Sequence, residues 1–287
     1  MDFKNAQELL TLCDENKRKV SAVMLRRECD ETGCSEESAV KRMKKALEIM
    51  RDSVEKPIEH PRKSMGGLIG GEAEKLSRSE GKLSGKVLGK AMCYAVGVLE
   101  VNASMGLIVA APTAGSSGVV PGLLLAMQDE LGFTDDQIVE ALFNAAAVGY
   151  LAMRNATVAG AVGGCQAEIG VASAMAASAA VELMGGTPKQ CLDAAGPVLM
   201  NMLGLVCDPV GGLVEYPCQS RNAAGAANAV IAAEMALAGI TQLIPFDEML
   251  DTMFKVGKKL PAELRETALG GCAATPAACQ LCKKHKQ

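Results

Sequence analysis

The amino-acid sequence predicts an all-α protein, a compact set of buried helices that pack through small side chains. Hydrophobic residues make up 49% of the 287 residues, but only 3% of the residues are aromatic and 30 are glycine. The core must therefore be filled by alanine, valine, leucine and the 16 methionines, and small side chains let helix backbones approach closely. Few stretches alternate polar and apolar residues as a half-buried strand does. These observations favour helices over a β-sandwich, which relies on β-branched and aromatic pairs.

Charged residues separate a polar N-terminal part from a buried middle. Of the 62 charged residues, 36 precede position 101 and only 14 lie between positions 101 and 246. Residues 1–56 are predicted to form two amphipathic helices packed on the core, the second beginning near Ser35. Residues 57–287 are predicted to form the main helical domain, continuous with the first part.

Two capping boxes predict helix starts in the middle of the chain. Thr134 with Gln137, and Thr187 with Gln190, have the residue types and spacing of this motif, and the second has a proline at the first helical position. The glycine-rich segment 56–85 is predicted to be irregular. Alanine-rich runs predict helices at 138–153, 166–184, 189–203 and 222–241.

Composition also excludes several classes of protein. A chain with 22% charged and 49% hydrophobic residues is not intrinsically disordered. A net charge of −4 and the absence of tryptophan argue against nucleic-acid binding. The longest uncharged stretch, residues 101–128, is interrupted by Pro112 and Pro121, so no membrane-spanning helix is expected. The first residues lack a secretory signal pattern, which predicts a cytoplasmic protein with reduced thiols.

Three of the eleven cysteines lie at predicted helix boundaries in the buried middle. Cys165 follows two glycines, Cys207 precedes an Asp-Pro pair, and Cys218 follows a proline. Cysteines in such loops can converge on an iron-sulfur centre, because the backbone there can approach the cluster. Free cysteines are also common as small buried hydrophobic residues. Their spacing alone leaves both interpretations open.

Longer motifs around these cysteines narrow the interpretation. The segment GLVCDPVGGLVEYPCQSRNAAGA at 204–226 contains two of the cysteines, and GAVGGCQAEIG at 160–170 contains the third. Further motifs are PTAGSSG at 112–118, ELMGGTP at 182–188 and RETALGG at 265–271. Together they resemble the iron-sulfur-dependent L-serine dehydratase α subunit, over roughly residues 60 to 276.

The resemblance implies a [4Fe–4S] cluster with Cys165, Cys207 and Cys218 as its three protein ligands. Electron-transfer clusters use four thiolates, so three would leave one iron open to substrate, like the open position of catalytic zinc. L-serine would bind that iron and lose its Cα proton and hydroxide, giving pyruvate and ammonia. The resemblance also implies a separate β subunit and an oligomer, and it makes 57–287 the cluster-binding catalytic domain.

Candidate substrate-binding residues follow from two loops and one helix start. Hydroxyl and glycine N–H groups ahead of a helix suit a carboxylate, although an ordinary helix-entry loop has the same composition. The sequence does not identify the general base that would remove the Cα proton. His60 is one candidate, although a surface turn is the simpler interpretation of its segment. The β subunit is another candidate source of the base. His285 is expected to be idle. The substrate candidates are Thr113, Ser116, Ser117, Gly118, Ser64 and Asn222.

The remaining cysteines are predicted to have secondary roles. Cys279 and Cys282 are candidates for a fourth ligand, because some members of the resembled family place a C-terminal cysteine on the open iron. The residues that follow Cys282, and a cysteine at position 272 where an apolar residue is expected, depart from that pattern. With Cys272 they also form a spacing that suits a rival metal site. Cys13, Cys29, Cys34, Cys93 and Cys191 are expected to be packing or surface thiols.

Three alternative functions stay open at this stage. An L-cysteine desulfidase of related architecture would use the same iron chemistry on a sulfur leaving group. A pyridoxal-phosphate dehydratase is more distant, because no convincing Schiff-base lysine is present. A helical scaffold with buried free cysteines would carry no iron at all.

Overall fold

The computed structural model describes residues 1–79 and 83–284, and they form an all-α fold, as predicted. No β-strand occurs in these two ranges, and a single isolated bridge pairs Cys207 with Arg265. The helices are α1 Ala6–Asn16, α2 Val20–Thr32, α3 Glu36–Glu59, α4 Glu72–Ser77, α5 Gly85–Ala103, α6 Val119–Leu131, α7 Asp135–Asn155, α8 Gly160–Gly163, α9 Val171–Leu183, α10 Pro188–Asn201, α11 Cys218–Leu237, α12 Phe246–Lys259 and α13 Pro276–Lys284.

The N-terminal part contains three helices, so the expectation of two was wrong. Lys17 adopts the left-handed conformation, with φ of 50°, and ends α1 by donating its N–H to the carbonyl of Asp14. A polar run of Lys-Arg-Lys then separates α1 from α2, and it offers no apolar residue to continue the first helix. The start near Ser35 is confirmed, because the Ser35 side chain accepts the N–H of Ser38.

Helix α9 is the centre of the core. All twelve residues from Val171 to Glu182 are buried. Helices α6, α7, α10 and α11 pack around it. Eight of these twelve residues are alanine or serine, which lets the surrounding helices approach closely. The predicted small-residue core is therefore confirmed, and no helix in the described ranges has the length and apolar character to cross a membrane.

The two capping boxes begin helices where the sequence predicts them. The Thr134 hydroxyl accepts the N–H of Gln137 and begins α7, and Thr187 does the same with Gln190 to begin α10. The predicted helix at 166–184 begins as a π-helical turn, Gln166–Gly170, before α9. Helix α11 begins at Cys218, four residues before the predicted run. This earlier start puts a candidate ligand on the first turn of a buried helix.

Candidate metal centre

Cys165 lies at a tight junction between two helical segments. Helix α8 ends at Gly163, Gly164 has φ of 76°, and Cys165 precedes the π-helical turn. A Cβ on Gly164 would lie 2.7 Å from the carbonyl oxygen of Leu205. That same carbonyl accepts the N–H of Gln166 at 3.1 Å. The glycine therefore lets the segment of Cys165 lie directly against the segment that leads to Cys207.

Cys207 is held by a segment from the C-terminal part of the chain. Its N–H donates to the carbonyl of Leu264 at 2.9 Å, and its carbonyl accepts the N–H of Glu266. Both bonds come from the RETALGG region, which is more than fifty residues away in sequence. The backbone position of Cys207 therefore depends on a contact that its own neighbours do not specify.

The thiols of Cys165 and Cys207 and a carboxylate oxygen of Glu168 form a close group. Their ligand atoms all lie within 4.8 Å of one another. The interaction between the two neighbouring thiols lowers the pKa of Cys165 and raises the pKa of Cys207. Both cysteines are about 3% exposed, so water has little access to their sulfur atoms. One thiolate is therefore stabilised inside a site suited to a thiophilic metal.

Cys218 lies beside this group rather than within it. Burial, together with negative charge on Cys165 and Glu168, raises the pKa of its thiol to about 12. This electrostatic effect means that the three cysteines share one region of the protein. The structure thus joins Cys165 with Cys207 closely and adds Cys218 at a greater separation.

Arg221 supplies positive charge to the centre. Its guanidinium donates to the carbonyl of Val206 at 2.8 Å and pairs with Asp208 at 2.7 Å, and its positive charge helps to lower the pKa of the nearby Cys165 thiol. Asp208 in turn accepts the N–H of Cys272 at 2.6 Å. Arg221 and Asp208 therefore tie together the segments that surround the cysteines.

Glu168 is a site residue that sequence reasoning missed. One of its carboxylate oxygens accepts the Thr113 hydroxyl at 2.8 Å, and the other lies 3.8 Å from the Cys207 sulfur. Burial raises the pKa of this carboxyl group. A Cβ on Gly160 would lie 2.5 Å from Glu168 Oε2 and 3.0 Å from the Cys207 sulfur. The signal was present, because Glu168 follows Cys165 by three residues and one helical turn brings such residues to the same face.

The loop of residues 113–118 reaches the centre mainly through Thr113. The hydroxyls of Ser116 and Ser117 are buried and donate to carbonyls of the loop itself, at 3.4 Å to Ala111 and 2.8 Å to Ala114. The N–H of Gly118 donates to Asn222 Oδ1 at 3.0 Å.

Asn222 completes the connection between this loop and the cysteines. Its amide nitrogen donates to the carbonyl of Gly115 at 2.8 Å and to that of Cys218 at 2.9 Å. These contacts fix the shape of the loop beside the first turn of α11.

The second candidate loop is tied to the segment between Cys207 and Cys218. The buried carboxylate of Glu215 accepts the Ser64 hydroxyl at 2.6 Å, the N–H of Gly66 at 2.6 Å and the N–H of Leu68 at 3.1 Å. Glu215 is a second residue that sequence reasoning missed. No local pattern predicts a contact across about 150 residues.

His60 lies apart from the cysteines. It is exposed at the end of α3 and lines a cavity of about 390 Å³ together with Arg62, Glu100 and Ser104. No cysteine lines this cavity. His285 lies outside the described residues.

The C-terminal cysteines are near the centre in the fold but are not members of the close group. Helix α13, which contains Cys279 and Cys282, packs on the short turn Val210–Gly212. Cys279 is exposed, and the Cys282 sulfur is 3.4 Å from the position of a Cβ on Gly211. All eleven cysteines are free, and the five predicted packing or surface thiols, Cys13, Cys29, Cys34, Cys93 and Cys191, are buried or half-buried.

These features define an all-helical protein with a buried centre of thiols and a carboxylate, of the kind that binds metal ions. A family model described as the serine dehydratase alpha chain matches residues 15–273. The chain belongs to this serine dehydratase alpha chain family.

Individual relatives agree with the family match. The probable L-serine dehydratase, alpha chain, of Bacillus subtilis (strain 168) is 50% identical over 285 residues, covering 98% of this chain and 95% of the relative. The L-serine dehydratase, alpha chain, of Peptoniphilus asaccharolyticus is 43% identical over 276 residues, covering 95% and 94%. The L-serine dehydratase of Streptomyces coelicolor (strain ATCC BAA-471 / A3(2) / M145) is 37% identical over 284 residues, covering 96% of this chain but 62% of that relative.

Proposed function

We propose that the chain is the α subunit of an L-serine dehydratase, a lyase that converts L-serine to pyruvate and ammonia. All three relatives named above carry this activity in their names, and two of them are 50% and 43% identical to this chain over nearly their full length. The observation that carries the proposal is the close group of Cys165, Cys207 and Glu168, with Cys218 beside it. Names that specify serine favour this reaction over cysteine desulfuration, and an enzyme over a scaffold.

The residues at this centre fit a [4Fe–4S] cluster. The donor set of Cys165, Cys207 and Cys218 provides three buried thiols from three separate elements, which is one fewer than an electron-transfer cluster needs. Gly160 supports the fit, because any side chain there would occupy the space beside the Cys207 sulfur and Glu168. When bound, such a cluster supplies a Lewis-acidic iron that makes the serine hydroxyl a better leaving group.

The chain's own residues prepare this centre electrostatically. The Arg221 guanidinium offsets negative charge on the Cys165 thiolate, and Asp208 fixes the guanidinium in place. Burial of the cysteines excludes water, which strengthens each of these charge interactions. Glu168 holds the Thr113 hydroxyl in one orientation at the edge of the centre.

Substrate contacts are assigned on the same geometry. Thr113 is the loop residue whose side chain reaches the centre, so it is the strongest candidate to contact the serine substrate. Ser116, Ser117, Gly118 and Asn222 act by shaping the loop. The two serine hydroxyls donate to loop carbonyls, and Asn222 accepts the N–H of Gly118 and donates to the carbonyl of Gly115. Ser64 belongs to the second candidate loop, which the Glu215 carboxylate holds in place.

The base that removes the Cα proton has two candidate sources, His60 and a partner chain. A His60→Gln variant separates them. A fall in kcat of about 100-fold or more is the loss expected for a general base and would identify the imidazole. An unchanged kcat would assign the base to another group.

We also propose a separate β chain as the partner of this chain. This chain covers 95% of a relative named as an alpha chain but 62% of a relative named simply L-serine dehydratase. The remaining part of the longer relatives corresponds to what a second polypeptide would supply. Residues 57–287 would then be the catalytic domain of an oligomer, with residues 1–56 packed on it. Reduced thiols at a metal centre suit a cytoplasmic location.

Substrate turnover tests the proposed activity. The chain is produced anaerobically with its β chain, and pyruvate formation is measured with L-serine and with L-cysteine as substrates. We expect pyruvate and ammonia in equal amounts from L-serine, at a kcat/KM well above that for L-cysteine. Preference for L-cysteine, with release of sulfide, would instead establish a desulfidase. No turnover of either amino acid by a cluster-containing complex would contradict the proposed function.

A further inference from the structure

The end of α2 brings two cysteines together, far from the metal centre in sequence. The helix ends at Thr32, and Gly33 follows in the left-handed conformation with φ of 69°. The N–H of Gly33 donates to the carbonyl of Cys29 at 2.9 Å. In helix ends of this type, the residue after the glycine turns back onto the last helical turn. That residue is Cys34, which packs against the core cluster that contains Cys29. After burial, the neighbouring Cys34 thiol is the main cause of a raised pKa of Cys29, so the two thiols are close.

The two thiols differ in exposure and in their neighbours. Cys29 is 7% exposed, whereas Cys34 is half-buried and can be reached from solvent. The Cys34 sulfur accepts hydrogen bonds from the Thr32 hydroxyl at 3.1 Å and from the Arg42 guanidinium at 3.2 Å. Arg42 is itself held by Glu28 at 3.2 Å. A guanidinium and a hydroxyl are therefore both directed at the Cys34 sulfur, and cationic neighbours of this kind are typical of reactive cysteines.

Two buried thiols outside the centre, Cys13 and Cys93, lack this arrangement. Burial raises the pKa of Cys13 to about 12 and that of Cys93 to about 11. Cys93 donates to the carbonyl of Ala73. Neither has a second cysteine or an arginine bonded to its sulfur in the described structure. The pair at the end of α2 therefore differs from ordinary packing thiols in having a reachable sulfur, a cationic neighbour and an adjacent second thiol.

We propose that Cys29 and Cys34 form a redox-active dithiol that a peroxide oxidises to an intramolecular disulfide. The Cys34 thiolate attacks one oxygen of hydrogen peroxide, the O–O bond breaks, and hydroxide leaves and is protonated to water. The Cys29 sulfur then attacks the sulfur of the resulting sulfenic acid, the S–O bond breaks, and a second water leaves. The dithiol loses two protons and two electrons, and the peroxide is reduced to two molecules of water. This site is independent of the proposed dehydratase reaction.

Peptide mapping tests the proposal on the intact chain. The cluster-containing protein is exposed to one equivalent of hydrogen peroxide, its remaining thiols are alkylated, and it is digested with trypsin. The peptide of residues 28–41 contains both cysteines and no others. We expect this peptide to appear unalkylated, with a mass two hydrogens lower than that of the reduced peptide. Reduction with dithiothreitol followed by a second alkylation should convert it to the doubly alkylated form.

Variants test the role of each neighbour. Cys34→Ser should abolish the disulfide and leave Cys29 as an alkylatable thiol. Arg42→Gln should slow disulfide formation roughly fivefold, which is what one hydrogen bond to the reacting sulfur is worth. Arg78→Gln removes an exposed arginine that, in the described structure, pairs with Glu74 and with no cysteine; it is the matched control and should leave the rate unchanged.

Two results would overturn the proposal. The first is a 28–41 peptide that stays doubly alkylated while cysteines elsewhere in the chain are oxidised. The second is accumulation of sulfinic acid on Cys34 without a link to Cys29. Both are read on the wild-type chain, so they do not depend on the folding of any variant.

Discussion

The carboxylate of Glu215 should be one of the most costly single side chains to remove. It is 2% exposed and accepts three hydrogen bonds, from the hydroxyl of Ser64 and the N–H groups of Gly66 and Leu68. Replacing it with alanine leaves these donors without their shared acceptor. The loop of residues 64–68 would then lose its attachment to the segment between Cys207 and Cys218.

The magnitude follows from the number and setting of these bonds. A hydrogen bond to a charged acceptor contributes about 1.5–3 kcal/mol. Ser64 is buried, so its hydroxyl cannot find water easily, whereas Gly66 and Leu68 are half-buried and can. We therefore expect Glu215→Ala to lower the free energy of unfolding by about 3–5 kcal/mol, less than three full bonds. Glu215→Gln keeps one acceptor oxygen and should lose about half as much.

Urea unfolding of the cluster-free chain, followed by circular dichroism under reducing conditions, measures this loss. The urea midpoint of Glu215→Ala should fall by about 1 M or more for a chain of this size. Glu55→Ala, which changes an exposed glutamate on α3, is the control and should stay within about 0.5 kcal/mol of the wild type. A Glu215→Ala variant as stable as this control would refute the role assigned to the carboxylate.

Three further changes test contacts at the metal centre, each by urea unfolding of the cluster-free chain. Because burial raises the pKa of Glu168, its charged form lowers the free energy of unfolding as the pH rises through that raised value. Glu168→Gln should therefore be more stable than the wild type at pH 7 and equally stable below about pH 4.5. A difference in stability that does not change with pH would contradict the assignment. Gly160→Ala places a methyl group 2.5 Å from that carboxylate and should lower the free energy of unfolding by about 1–3 kcal/mol. Gly170→Ala is the control, because its methyl group has no neighbour closer than 3.7 Å, and it should leave the stability unchanged. Equal losses in the two variants would argue against close packing at the centre. Asp208→Asn breaks the ion pair with Arg221 and should lower the free energy of unfolding by about 3 kcal/mol. A decrease below about 0.5 kcal/mol would show that the ion pair does not stabilise the fold.

Sequence patterns predicted the parts of the fold that local chemistry determines. The helix starts at Thr134 and Thr187 depend on side chains three residues apart, so the residues that form the cap also reveal it. The buried α9 follows from an alanine-rich segment with no charge between Val171 and Val181. The left-handed residue at Lys17 was missed, because a non-glycine residue rarely takes that conformation and nothing in its type marks it.

Long-range contacts account for what the sequence did not reveal at the candidate site. The bond from Cys207 to Leu264 and the three bonds to Glu215 join segments far apart in the chain, and no spacing rule predicts them. Motif resemblance selected Cys165, Cys207 and Cys218 from eleven cysteines, and the structure brings the first two thiols into one close group while Cys218 lies beside it. Glu168 lies in the same motif and was not predicted, although its spacing of three residues from Cys165 places both side chains on the same face of a helical turn.

Iron and acid-labile sulfide analysis of the anaerobically purified chain tests the central claim most directly. The wild type should contain about four irons and four sulfides per chain, with the visible absorption of a [4Fe–4S] cluster. Cys165→Ser, Cys207→Ser and Cys218→Ser should each lose most of that iron while keeping the helical circular-dichroism spectrum, and Cys93→Ser, which changes a buried thiol outside the centre, should retain it. A wild-type chain that binds no iron even after reconstitution, or a Cys165→Ser variant with a full cluster, would contradict the account.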